Sequence, residues 1–168
     1  MPDLREQLQD FFHGRVCLMG LGNPDHGDDA VGVRLAEKLA AAGVPGVVVA
    51  GTTPERFLLR VADDGCDHLV FLDAVDFSGA PGAVVLLDEP AMAARFPQIS
   101  THRLSLGLLA KWATANGAGR AWVLGVQPAS LRPAAALTPP VQATLDLLHE
   151  LLCDAARPAG SRLAALNA

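Results

Sequence analysis

Tyrosine is absent from this 168-residue chain, and phenylalanine and tryptophan bring the aromatic share to only 5%. A platform on which nucleic-acid bases stack needs more rings than that. Positive charge is also scarce. Thirteen Lys and Arg face 18 Asp and Glu, for a net charge of −5, and no basic run offers phosphates a local patch. Cysteine occurs three times, at Cys17, Cys66 and Cys153, too scattered for a CxxC metal pair and odd in number for a disulfide framework. No apolar run approaches the roughly 20 residues of a membrane span, because Gly, Pro, Asp or Arg interrupts each one. Neither a nucleic-acid nor a membrane partner is expected. The opening MPDLREQLQDFFHG mixes charges of both signs without an apolar core, so a secretion signal is not expected and a reducing cytoplasm fits.

What is plentiful is apolar surface: 51% hydrophobic residues against 18% charged, with a mean hydropathy of +0.29. That composition excludes a disordered chain and predicts one folded domain over residues 1–156, with a flexible tail over 157–168. An amphipathic helix is expected at 3–12, where Leu4, Leu8, Phe11 and Phe12 form a stripe. The run RVCLMG (15–20) reads as a strand buried on both faces. Helical spacing of Val31, Leu35 and Leu39 follows, and then a second strand at 47–50 and a helix at 54–62. HLVFL (68–72) is a third strand, ending at Asp73. Only eight residues separate it from a fourth at 82–87, too few for a parallel crossover, so the fourth should run antiparallel. A helix at 104–115, a strand at 121–126 and a helix opened by Thr138-Pro139 as N-cap and first helical residue complete the order. The fold class is therefore α/β, a single three-layer domain. Its five-stranded, mostly parallel twisted sheet has one antiparallel strand and helices on both faces.

Such sheets bind ligands beyond the carboxyl ends of their strands. The turn after the first strand reads GLGNPDHGDDAVG, from Gly20 to Gly32. Gly20 and Gly22 satisfy the opening of a dinucleotide fingerprint, but Asp25 stands at its third glycine, and the second strand ends Val49-Ala50-Gly51 with no carboxylate for a ribose. Pyrophosphate would meet negative charge there. Of the adjacent Asp28 and Asp29, one is expected to cap the helix and the other to project into the crevice. Asp73, at the end of a central strand, is a carboxylate that burial makes costly unless it is paired or binds a cation. His102, in Ser100-Thr101-His102, suits a crevice loop.

Asp29, Asp73 and His102 thus supply two hard oxygens and an imidazole from three loops, the donor set of a catalytic or transiently filled metal site. Asp25, Asp28 and Asp76 add acidity that favours a divalent cation. No GxSxG elbow, HExxH pair or P-loop competes, and a Cys66–His68 nucleophile pair lacks an orienting third group.

Five segments in register, GLGNPDHGDDAVG, AGTTPE (50–55), FLDAVD (71–76), STH (100–102) and LGVQP (124–128), resemble the nickel–iron hydrogenase maturation endopeptidases. The formate-hydrogenlyase-type branch matches best, over about residues 15–155. The resemblance implies removal of a C-terminal extension from a nickel-loaded [NiFe]-hydrogenase large-subunit precursor. The nickel is carried by that precursor, so no permanent cofactor is expected. It assigns Asp29, Asp73 and His102 as nickel contacts and catalytic residues, with Gly22, Asn23, Asp28, Gly51 and Glu55 shaping or supporting the crevice. Departures fall in the second loop: Val49 stands where the family often has an acidic residue, Ala50 where it has glycine or cysteine, and Arg56 where asparagine is common. The helix ahead of Arg15 extends beyond the usual start. A non-cleaving nickel-dependent assembly checkpoint on the same fold is an alternative. Peptidyl-tRNA hydrolases share GLGNP, but this chain lacks their TRHN segment, their tyrosine and a basic surface.

Overall fold

The uninterrupted apolar runs become the centre of a sheet because helices cover both of its faces. In the computed structural model, which describes residues 2–95 and 105–158, β1 (Val16–Leu21) lies beside β3 (His68–Ala74). β2 (Val47–Gly51), β4 (Val84–Asp88) and β5 (Arg120–Val126) complete a five-stranded sheet of order β2-β1-β3-β5-β4. All neighbours are parallel except β4 and β5. β4 does run opposite to β3, but its neighbour is β5, which is inserted between them. Two strand spacings are only about 10 Å, so the short connection from β3 bridges them easily.

On one face α1 (Leu4–Phe11), α2 (Val31–Ala41) and α6 (Pro139–Ala156) bury Leu8, Leu35, Leu39, Leu145 and Leu148 against Leu18, Val70, Leu72 and Leu124. On the other, α3 (Glu55–Asp64), α4 (Glu89–Arg95) and α5 (Leu106–Ala115) cover Met19, Leu69, Phe71 and Val123. The alternation of Leu69 and Phe71 with Val70 and Leu72 between the two cores is the period-2 signature of a strand covered on both sides. α1 starts with a capping box, in which Asp3 Oδ1 accepts from Glu6 N–H at 2.8 Å and Glu6 Oε2 from Asp3 N–H at 3.0 Å. α4 is an addition to the expected elements. Its signal was local: Asp88 Oδ1 accepts from Ala91 N–H at 3.0 Å, with Pro90 in the first turn.

His68 does not pair with Cys66. Its Nδ1 accepts from Trp122 Nε1 at 3.3 Å, and the two rings enclose Phe11 of α1 at centroid distances of 5.0 Å. Burial, reinforced by the Arg120 guanidinium and opposed by Asp67, holds the imidazole below its ordinary value of 6.5. Asp10 and Gln7 of α1 line the same niche. The folded state therefore binds fewer protons than the unfolded chain. The stabilisation is complete above the unfolded value and is lost as pH falls below it through the lower folded value. Thermal unfolding should thus shift to lower temperature between pH 7.5 and 5.5. His68→Gln, which keeps an acceptor for Trp122 and does not titrate, should flatten that dependence, and an equally steep profile in the variant would exclude His68 as its source.

Candidate functional site

The chain leaves β1 to form β2 on one side, then returns across β1 to form β3 on the other. The connections diverge between β1 and β3, and it is beyond the carboxyl ends of strands at such a switch point that open α/β sheets bind ligands. Both aspartates picked out by position lie there. Gly32, in the first turn of α2, is pressed onto this point: a Cβ on it would lie 1.9 Å from Leu72 O and 2.6 Å from Leu21 O. That contact brings the 3-10 turn Gly27–Ala30, which carries Asp28 and Asp29, against the end of β3. Only glycine permits so close an approach.

Gly22 folds the loop back on itself. Its φ is +124°, and a Cβ there would sit 1.8 Å from Asp29 O. The next residue, Asn23, then donates its backbone N–H to Asp29 Oδ2 at 2.9 Å, while its own side-chain oxygen accepts from Asp25 N–H at 3.0 Å. Asp29 is 7% exposed, and its second oxygen, Oδ1, is buried without a hydrogen bond among the described residues. One oxygen is thus used to aim the group, and the other keeps its lone pairs. Asp73, 1% exposed, is next to last in β3 and sits opposite Gly125 of β5.

The two adjacent aspartates divide their work differently from the expectation. Neither caps α2, whose N-cap is Ala30 with no side-chain bond. Asp28, 1% exposed, instead accepts from three backbone N–H groups, those of Ala129 at 2.9 Å, Ser130 at 3.3 Å and Thr138 at 2.7 Å. The Thr138 hydroxyl adds bonds at 2.8 and 3.0 Å. Thr138 occupies the cap position of α6 but turns its side chain to Asp28; Pro140, at the second helical position, removes one of the two N–H groups a cap would serve. Asp28 is therefore a clamp between the first loop and the 129–138 segment.

Asp76 is committed in a similar way. Gln127, buried in the LGVQP segment, accepts from Phe77 N–H at 2.9 Å and Gly79 N–H at 3.0 Å, and donates to Asp76 Oδ1 at 3.1 Å. The Gln127 amide and the Ser78 N–H hold the Asp76 carboxyl below its usual range. Of the three carboxylates expected to add cation affinity, Asp28 and Asp76 are thus occupied by hydrogen bonds. The position of Gln127 just after β5 was readable in the sequence, but its role as the tie of the loop after β3 was not.

In the second loop, Gly51 O accepts from Gly22 N–H at 3.0 Å, joining the two crevice loops. Glu55 is exposed at the start of α3. His102 lies outside the described residues. Among the described residues no group of three or more His, Cys, Asp or Glu is placed to hold a metal ion. Of the three residues expected to supply donors, the structure describes Asp29 and Asp73; carboxylates in general are hard oxygen ligands for a cation and proton acceptors for water.

The sequence model of a family described as hydrogenase maturation protease matches residues 33–155. The Hydrogenase 2 maturation protease of Escherichia coli K12 is 32% identical over 154 residues, covering 87% of this chain and 93% of that protein. The Hydrogenase 3 maturation protease of the same organism is 29% identical, over 80% of this chain and 86% of its own. Among solved structures, the [NiFe] hydrogenase maturation protease HycI from Thermococcus kodakarensis KOD1 superposes with a TM-score of 0.80 at 28% identity, covering 90% of this chain and 99% of that one. The maturating endopeptidase HybD from E. coli gives 0.67 at 32% identity, over 81% and 88%.

Proposed function

The chain belongs to the hydrogenase maturation protease family, and we propose that it removes the C-terminal extension of a [NiFe]-hydrogenase large-subunit precursor after nickel has been installed. The nickel belongs to the substrate. It enters the crevice with the precursor and takes donors from Asp29, Asp73 and His102, the last assigned from the sequence alone. The observation that carries this reading is Asp29 itself. Its Oδ2 is oriented by the Asn23 N–H, and its buried Oδ1 keeps its lone pairs at the β1/β3 switch point. A carboxylate aimed in this way, with a second carboxylate at the end of the adjoining strand, suits a cation that arrives from outside.

Nickel recognition then acts as proofreading, because a nickel-free precursor lacks the contact that seats its scissile segment. Water adds to the scissile carbonyl, one carboxylate of the pair takes its proton, and that proton passes to the departing amine as the C–N bond breaks. A bound cation would assist by polarising the carbonyl oxygen. Gly22, Asn23 and Gly51 shape the walls, Asp28 braces the loop that presents Asp29, and Glu55 lies at the rim of the second loop. A cytoplasmic setting accords with three free cysteines. No described helix is long and apolar enough to cross a membrane.

The test is to incubate the protein with nickel-loaded and nickel-free precursor and follow the intact mass of the large subunit. Mass loss is expected only with nickel, and His102→Ala should abolish it without changing the thermal midpoint. Equal trimming of the nickel-free precursor would overturn the recognition step. Stable complex formation without mass loss would favour the checkpoint reading over the protease.

A further inference from the structure

At the other end of α6 from the crevice, the C-terminal turns of α2 and α6 border an open groove of about 650 Å³ lined by Ala42, Val44, His149, Cys153 and Asp154. His149 lies ten residues beyond Pro139, about 15 Å along the helix axis, so this groove is distinct from the aspartate site. His149 Nε2 and Cys153 Sγ approach to 3.5 Å across one helical turn. Residues at i and i+4 share a helix face, which makes such a pair a ready two-donor chelate. A tetrahedral ion with sulfur at about 2.3 Å and nitrogen at about 2.0–2.1 Å separates these donors by about 3.5 Å. A 90° arrangement, as in square-planar nickel, requires about 3.1 Å.

We propose that His149 and Cys153 form a binding site for a thiophilic tetrahedral ion of the Zn²⁺ or Cu⁺ class, separate from the crevice. Asp154 is already ion-paired with Arg157 at 3.3 Å and Arg5 at 3.9 Å, and among the described residues no third donor completes the set. The remaining coordination positions open to water in the groove. Burial keeps the Cys153 thiol above its ordinary value, so binding exchanges the S–H proton for the metal–sulfur bond and releases that proton to solvent.

The test is a titration of the reduced, full-length protein with Co²⁺ as the probe. A thiolate-to-cobalt band in the near ultraviolet, with visible bands of tetrahedral intensity, should saturate at about one equivalent and be displaced by Zn²⁺. Cys153→Ser and His149→Gln should each abolish it, while Cys66→Ser leaves it unchanged. Zn²⁺ should raise the thermal midpoint of the wild type and of neither site variant, whose metal-free midpoints report their folding. Survival of the spectrum in Cys153→Ser, its loss in Asp29→Asn instead, or absence of any thiolate band overturns the proposal and leaves the pair a plain S–H···N contact.

Discussion

Asp29→Asn is expected to slow removal of the precursor's C-terminal extension by about 10²–10⁴-fold while leaving the fold in place. The amide oxygen can still accept from Asn23 N–H, as Asp29 Oδ2 does at 2.9 Å. The loss falls on the other atom. Oδ1 is buried and makes no hydrogen bond among the described residues, and the substitution places an NH₂ donor there, which can neither ligate a cation nor take a proton. Because nothing in the fold depends on that atom, thermal unfolding should change little. The rate of mass loss of nickel-loaded precursor, measured beside the thermal midpoint, checks both halves. Processing at the wild-type rate would remove Asp29 from the site.

The neighbouring residue should respond in the opposite way. Asp28→Ala deletes a buried carboxylate that accepts from the N–H groups of Ala129, Ser130 and Thr138 and from the Thr138 hydroxyl. Each polar group left unsatisfied costs about 1–3 kcal/mol, less where the 129–138 segment moves enough to admit water. A destabilisation of about 3 kcal/mol follows, equivalent to a fall of about 6–12 °C in thermal midpoint for a chain of this length. Asp28→Asn, with one acceptor oxygen retained, should lie between. Calorimetry on the two variants decides the matter: a midpoint within a degree or two of wild type in Asp28→Ala would show that the clamp contributes nothing. Two adjacent aspartates thus separate cleanly, one read by activity and the other by stability.

That separation marks how far the residues alone could lead. The strands were legible because RVCLMG and HLVFL are apolar on both faces, a pattern that only a covered, mainly parallel sheet explains. The placing of two aspartates at strand ends was legible too: Asp29 follows the first strand and Asp73 is next to last in the third, and ligands gather at such ends. Local chemistry, however, assigns a cap to any Ser, Thr or Asp at a helix start. By that rule Thr138 and one of the two aspartates were expected to cap. In the structure Thr138 and Asp28 bond to each other, from positions 110 residues apart. α4 escaped the reading of the sequence because its seven residues are too few to display a period.

Composition and pattern by themselves determined the class of fold and the places where strands end, since burial and periodicity act over a few residues at a time. Tertiary structure alone decided that β5 enters between β3 and β4, that Gln127 ties the loop after β3, and that Asp28 braces the 129–138 segment while Asp29 is held by Asn23 N–H. Each of those outcomes depends on which distant N–H groups the folded chain carries to a carboxylate or an amide, and hydrogen-bond partners far apart in sequence leave no local trace in it.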